Sequence, residues 1–315
     1  MVSGTANPVV QRPQRTSRGV ILIVCAVALM ALQDALVKWA SADLPLSQIF
    51  VLRSLLVLPV LTALAGRGAL SAWRSGLSAW PISRALCLSL MYLSLYAALP
   101  FLPLSTLAAG FYTGPLFIVL LAARFLDERA GRWGWLAVGI GFLGVLVLLR
   151  PGADVFEPAA LLPVLSGLFY AIAAIITRGK CQDERAASLA LALNVVLLAT
   201  GILIAIPGMA GQGIESAGAI RPFLFRPWLP LETDGFLLIA VLAVLMVGIG
   251  LGLAAAYQLA APVVVASFDY SYLVFAALLG FVMFGEIPDM TTLAGTALIL
   301  SAGFIVILKG AGGQE

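Results

Sequence analysis

Long apolar runs alternate with short polar breaks along the whole chain. Runs at 19–40, 46–66, 81–99, 103–124, 133–149, 159–177, 187–207, 235–256, 262–284 and 291–308 each have a length that carries an α-helix across about 30 Å of hydrocarbon. The weakest breaks lie at Pro100 to Pro103 and at Ala260 to Pro262. No segment sustains the period-two alternation of a transmembrane β-strand, so a membrane barrel is not expected. The first run follows Arg12, Arg15 and Arg18 in the manner of a signal peptide. It is too long for one, however, and contains Gln33, Asp34 and Lys38, so it reads as a retained helix. The pattern predicts an all-α integral membrane protein with ten transmembrane helices.

Composition agrees and narrows the function. Apolar residues make up 62% of the 315 and charged residues 10%, against roughly 45–50% and about 25% in soluble domains. A net charge of +3, spread in pairs and triplets between apolar runs, leaves no basic face for nucleic acid. The chain has no histidine, which removes the commonest metal ligand and the Ser/His/Asp and Cys/His catalytic arrangements. The three cysteines, Cys25, Cys87 and Cys181, lack CxxC spacing and read as packing residues or a reduced thiol. Gly179-Lys180 stands in no P-loop, since Ala174 and Cys181 occupy the positions of its first glycine and its Ser/Thr. The expectation is a non-enzymatic protein with no cofactor, no metal site and no ATP motor of its own.

Basic residues in short loops favour the cytoplasm. With the amino terminus inside, Arg12, Arg15, Arg18, Arg67, Arg74, Arg84, Arg124, Arg129, Arg132, Arg178, Lys180, Arg185 and Lys309 fall inside. Only Lys38, Arg150, Arg221 and Arg226 fall outside, with Arg53 within a span. Both termini are therefore expected in the cytoplasm. The long loop at about 208–234 becomes external, and its Glu215, Arg221, Arg226, Trp228, Glu232 and Asp234 suit an interfacial segment.

Sliding the chain by 158 residues superposes part of its two halves. Ala97, Ala98, Ala108, Tyr112, Phe117, Leu120, Leu121 and Glu128 land on Ala255, Ala256, Ala266, Tyr270, Phe275, Leu278, Leu279 and Glu286. One residue further, Gly144 pairs with Gly303 and Arg150 with Lys309. Each half holds five helices, an odd number, so the two copies run through the membrane in opposite directions. Such inverted repeats let one fold present a central site to either side in turn. The expected organisation is a tail at 1–18, five-helix repeats at 19–152 and 153–310, and a tail at 311–315.

The chain is similar to the EamA-type branch of the drug/metabolite transporter superfamily. The resemblance runs over roughly residues 19 to 309. It is carried by Asp34-Ala35-Leu36-Val37-Lys38-Trp39, by Arg53, and by Pro103-Leu104-Ser105-Thr106 through Pro115-Leu116-Phe117. Leu126-Asp127-Glu128-Arg129 and the helix Gly141-Phe142-Leu143-Gly144-Val145 ending at Arg150-Pro151-Gly152 complete it. It implies ten helices in two repeats, a bacterial-type inner membrane, and a secondary transporter of a small molecule, the shared motifs being mostly structural. The second half departs from the pattern: Gly285-Glu286 lacks a following base, and Asn194 stands near the place of Arg53.

Ionisable groups within a membrane mark pathways or sites by default. Asp34 and Lys38 are four apart on one helical face and are expected to pair, with Arg53 at about the depth of Asp34. This cluster reads either as an external gate and carboxylate site or as a structural ion pair with Lys38 snorkelling. Asp269 has no base within a turn of it, and reads as a receptor for a substrate ammonium or a coupling proton, or as a hydrogen-bonded structural acid. Tyr112 and Tyr270 flank the repeat-related positions, with Phe111 in the place of Asp269. Tyr92, Tyr96, Phe169 and Tyr170 line helices expected to face the centre, with Gln33 and Asn194 as polar partners or interhelical glue. Gly139, Gly141, Gly144, Gly248 and Gly252 read as packing positions. Glu128 and Glu286 lie at loop starts, where they are expected to cap the next helix.

Three functions compete. The first is a carrier of a small, amino-acid-like metabolite working by alternating access, with export favoured. The second is an importer or exchanger of S-adenosylmethionine, riboflavin or a related metabolite. The third is a non-transporting membrane sensor. The expected partners are a small-molecule substrate, a candidate coupling proton and the bilayer, and the residues give no indication of a homodimer.

Overall fold

The computed structural model describes residues 13–125, 132–149, 158–209, 220–259 and 268–310. These form thirteen α-helices: α1 Pro13–Ala40, α2 Leu46–Ala65, α3 Ala69–Gly76, α4 Ala79–Ala98, α5 Leu104–Phe111, α6 Gly114–Phe125, α7 Arg132–Leu149, α8 Leu161–Lys180, α9 Ala186–Met209, α10 Ile220–Phe225, α11 Thr233–Leu259, α12 Ser271–Phe284 and α13 Met290–Gly310. Eight stretches are long and apolar enough to cross a membrane, and Ser271–Phe284 and Met290–Ile305 are shorter apolar helices. The molecule is an all-helical, multi-pass membrane protein.

The helices bury one stripe and leave the rest apolar but exposed. On α1 the buried Ile23, Val27, Ala31 and Ala35 recur every four residues, one face of a helix. Leu146, Leu203, Leu237, Val244 and Val282 point outward from four other helices of the bundle. Such surfaces need lipid, because water would not tolerate so much apolar area. The main packing partners are α1 with α11 and α12, α4 with α8 and α9, α2 with α9, α8 with α5 and α6, and α7 with α13.

Small residues set the closest approaches. A Cβ on Gly144 of α7 would meet the Gly295 carbonyl of α13 at 2.9 Å, and one on Gly295 would meet the Gly144 carbonyl at the same distance. The two backbones therefore touch. Gly141 makes room for Leu116 and Gly252 faces Ala26, as packing glycines should, whereas Gly139 faces open space. Gly139 and Gly141 are two residues apart and so cannot share a helical face.

Three features depart from the run-by-run expectation. The fourth apolar run is not one helix but two, α5 and α6, separated at Tyr112 and Thr113. Pro115 has no N–H to give the Phe111 carbonyl, and it disfavours helical backbone at Gly114. The Thr113 hydroxyl instead donates to the Gly110 carbonyl at 2.7 Å. In the ninth run Phe268 and Asp269 are helical, Tyr270 is a turn, and α12 starts at Ser271. The break before α4 holds a further short helix, α3, and the long segment between α9 and α11 holds α10. Glu128, Arg129, Arg150, Pro151, Gly152 and Glu215 lie outside the described residues.

Candidate functional site

Two helix ends create the outermost layer. Gly285, with φ +67°, ends α12 in the left-handed conformation, where a side chain would be strained. The next two amides turn back into the helix, Gly285 N–H to the Phe281 carbonyl at 2.9 Å and Glu286 N–H to the Gly280 carbonyl at 3.1 Å. This folds Glu286 over Gly280, whose missing Cβ leaves space for the carboxylate. There Glu286 pairs with Lys38 of α1 and accepts the Leu104 amide of α5 at 2.8 Å. Lys38 also donates to the Leu102 carbonyl and lies 5.2 Å from the centre of the Phe284 ring. The ion pair is 12% and 15% exposed, so it works in low dielectric, where Coulomb attraction is strong.

One helical turn along α1 lies a second layer. The Asp34 carboxylate accepts the Tyr96 hydroxyl of α4 at 3.1 Å and the Tyr272 hydroxyl of α12 at 2.5 Å. Gln33 donates to the same Tyr96 hydroxyl at 3.1 Å, leaving its own side-chain oxygen buried without a partner. Asp34 and Lys38 therefore do not pair with each other. Each is met by a better-placed group from another helix, Lys38 by a full charge and Asp34 by two hydroxyls. Glu286 does act as a cap, but of α5 in the first half and not of the helix that follows it.

Arg53 of α2 is fully buried. Its Nε, Nη1 and Nη2 have no hydrogen-bond partner among the described residues. Its guanidinium sits 5.6 Å from the Phe50 ring centre and 5.9 Å from that of Tyr92, and its charge lies close enough to Asp34 to interact with it. A buried charge without a hydrogen-bonded partner costs on the order of 3–5 kcal/mol, which the nearby Asp34 charge offsets in part. Tyr92 and Tyr96 are tilted against each other with ring centres 5.5 Å apart, and Phe50 lies 6.0 Å from Tyr96.

The two repeat-related tyrosines meet at the breaks. Tyr112 and Tyr270 have ring centres 5.1 Å apart, Tyr112 and Tyr272 lie at 5.5 Å, and the Tyr112 hydroxyl donates to the Asp269 backbone carbonyl at 2.9 Å. Tyr270 finds its space against Gly303. Phe169 packs with Leu88, Met91 and Ala173 between α8 and α4. Tyr170 is 36% exposed, with its ring 5.4 Å from Phe111, so it borders the break rather than lying within the tyrosine cluster. Asn194 donates back to Ala190 at 2.9 Å while its side-chain oxygen stays buried and unpartnered. Two groups missing from the sequence-derived set are Tyr272 and Phe50. Tyr272 falls opposite Gly114 in the 158-residue register, so the repeat carries no signal for it.

At the opposite end of the bundle, the α2–α4 connection meets the α8–α9 turn. Ser75 bonds Glu184, Gly68 lies against Arg185, Arg84 donates to Thr177 at 2.7 Å, and Lys180 covers the Trp80 ring at 5.4 Å. Cys181 in that turn is buried, and burial pushes its thiol above the ordinary range. Groups of acids, cysteines and histidines that could hold a metal ion do not occur among the described residues.

Comparison with known proteins gives this arrangement a family. Residues 17–150 match the EamA-like transporter family. The chain is 30% identical over 238 residues to a riboflavin transporter of Rhizobium johnstonii, an alignment covering 75% of this chain and 65% of the relative. It is 27% identical over 285 residues to a pseudopaline exporter of Pseudomonas aeruginosa, covering 90% and 94%. An S-adenosylmethionine uptake transporter of Rickettsia bellii is 26% identical over 205 residues, covering 65% and 64%. A solved crystal structure shares the fold, with a TM-score of 0.59 at 17% identity over 96% of this chain and all of that one. Family and relatives alike are named as transporters and not enzymes, and residues 17–150 of the chain carry the EamA-like transporter domain.

Proposed function

We propose that the protein is a secondary carrier that moves a small metabolite across a bacterial inner membrane by alternating access between two inverted five-helix halves. The observation that carries this reading is the double closure at one end. There, Lys38 and Asp34 on the first helix are tied to Glu286 and Tyr272 in the second half. Ties between halves on one side of a central site are what a carrier must break to open on that side.

The packing supports the repeat. Exchanging each span with the one five later turns the α1–α11 contact into the α8–α4 contact, and α1–α12 into the contact of α8 with α5 and α6. The α2–α9 and α7–α13 contacts map onto themselves. The two broken spans are also repeat-related, and interrupted helices beside a midplane site are a recurring device of such carriers. Arg67, Arg74, Arg178, Lys180 and Arg185 gather around the end opposite to Lys38, which supports cytoplasmic termini and makes the Lys38–Glu286 closure external. Gln33, Asp34, Tyr92, Tyr96, Tyr112, Tyr270 and Tyr272 form the proposed site wall, and Asp269 is the proposed receptor of a coupling proton.

An amino-acid-like cargo, with export favoured, is the first reading. The names of the relatives support a second, uptake or exchange of riboflavin or S-adenosylmethionine. The test is flux through proteoliposomes, with phenylalanine, riboflavin and S-adenosylmethionine as labelled cargo. The protein would carry Lys38→Cys and Glu286→Cys, with the three native cysteines replaced by serine. Bridging the pair with a bifunctional thiol reagent is expected to stop flux and reduction to restore it. Undiminished flux through the bridged protein, or no flux of any cargo before bridging, would contradict the proposal.

A further inference from the structure

We propose that Arg53 anchors an oxyanion site, the place that receives a carboxylate or phosphate borne on a flat apolar body. The inference rests on the carrier reading above and names the class of cargo for the same site. Arg53 is fully buried in α2, and none of its three side-chain nitrogens has a partner among the described residues. Phe50 and Tyr92 stand 5.6 and 5.9 Å from the guanidinium carbon. Aromatic rings stabilise the cation through their π-faces, but they accept none of the strong in-plane hydrogen bonds that its five N–H groups can make. The fork is thus positioned and left unsatisfied.

Asp34 could have supplied the missing acceptor, and the structure commits it elsewhere. Both its oxygens take tyrosine hydroxyls, Tyr96 at 3.1 Å and Tyr272 at 2.5 Å. Those tyrosines hold Asp34 in the closing layer, one turn from the Lys38–Glu286 pair, so a ligand on Arg53 would lie directly beneath the closed end. The remaining requirement is an acceptor with two oxygens in one plane. Carboxylate and phosphate both meet it, and an Arg fork binds either in bidentate fashion. The ring faces of Phe50, Tyr92 and Tyr96 around the charge favour a planar apolar body behind the anion. Gln33, bonded through its amide nitrogen to Tyr96, leaves its oxygen free for a donor on the same ligand.

The experiment is thermal unfolding of the full-length protein in detergent with three probes that share a phenyl body: phenylacetate, phenyl phosphate and phenethylamine. Ligands that bind only the folded state raise its melting temperature. Phenylacetate, phenyl phosphate or both are expected to stabilise the protein and phenethylamine is not, and which anion acts separates the two sources of the oxyanion. Arg53→Gln should weaken the effective anion roughly tenfold or more, with Arg53→Lys intermediate because it keeps the charge and loses the fork.

Ligand-free stability keeps the test decisive. Arg53→Gln and Arg53→Met should melt at the same temperature as the wild type or higher, because each removes an unpaired buried charge. A fall of several degrees in both would assign Arg53 a structural role and overturn the proposal. So would an anion response that survives in Arg53→Gln, equal stabilisation by phenethylamine, or no response to either anion. None of these results bears on whether bridging Lys38 to Glu286 stops flux, so the two proposals fail separately.

Discussion

Single residues decide how the closed end holds. Lys38 and Glu286 are 248 positions apart and almost fully buried together, with Glu286 also serving the Leu104 amide. Removing one member of such a pair strands a charge, at about 3–5 kcal/mol, whereas removing both is far less costly. Lys38→Met or Glu286→Met alone should therefore lower the melting temperature by many degrees, and the double variant should regain most of it. A double variant as unstable as the sum of the singles would mean the two act independently. Tyr272→Phe deletes one hydroxyl from Asp34 while keeping the ring. It is expected to cost about 1–3 kcal/mol and to loosen the same end, and an unchanged melting temperature would remove the Asp34 layer from the account. The sequence made Asp34, Lys38, Arg53 and Asp269 conspicuous because charge in an apolar run is rare, whereas Glu286 read only as a cap at a loop start. Partnership was not legible, since helix spacing favours Asp34 with Lys38 and says nothing about residues two hundred positions away.

At the scale of elements, hydropathy carried nearly all of the helix positions because a span must be long and apolar. The breaks were less legible. The interruption at Tyr112 and Thr113 lies in Tyr112-Thr113-Gly114-Pro115, a dip in hydropathy too short to divide a span, so the missing N–H of Pro115 is the clearer mark of it. The eight-residue α3 escaped because it is too short to show a span and its polar face resembles a loop. Packing glycines were readable as a class, yet only contact separates Gly144, which touches α13, from Gly139, which touches nothing. This contrast gives a paired prediction. Gly144→Val should force α7 and α13 apart at a cost of about 1–3 kcal/mol or more, and Gly139→Val should leave the melting temperature nearly unchanged. Equal losses at both positions would contradict the close approach of the two helices.

In the whole molecule, symmetry and orientation are linked. The tyrosines that the 158-residue register superposes, Tyr112 and Tyr270, are found ring to ring at the two breaks, which supports the proposed repeat. The proposed orientation rests on the basic residues gathered at one end, which the positive-inside rule places in the cytoplasm. A fluorescent protein fused after Glu315 should therefore fluoresce, and alkaline phosphatase inserted after Arg226 should be active. The reverse pair of results would invert the molecule and make the Lys38–Glu286 closure cytoplasmic. Alternating access is tested most directly by placing a cysteine at Gln33, just beneath the closed end, in a chain otherwise free of cysteine, and labelling it with a membrane-impermeant maleimide from each side in turn. Slow labelling from outside and faster labelling from inside are expected, with Glu286→Gln shifting reactivity toward the outside roughly tenfold. Equal labelling from both faces, or external labelling indifferent to Glu286, would contradict alternating access.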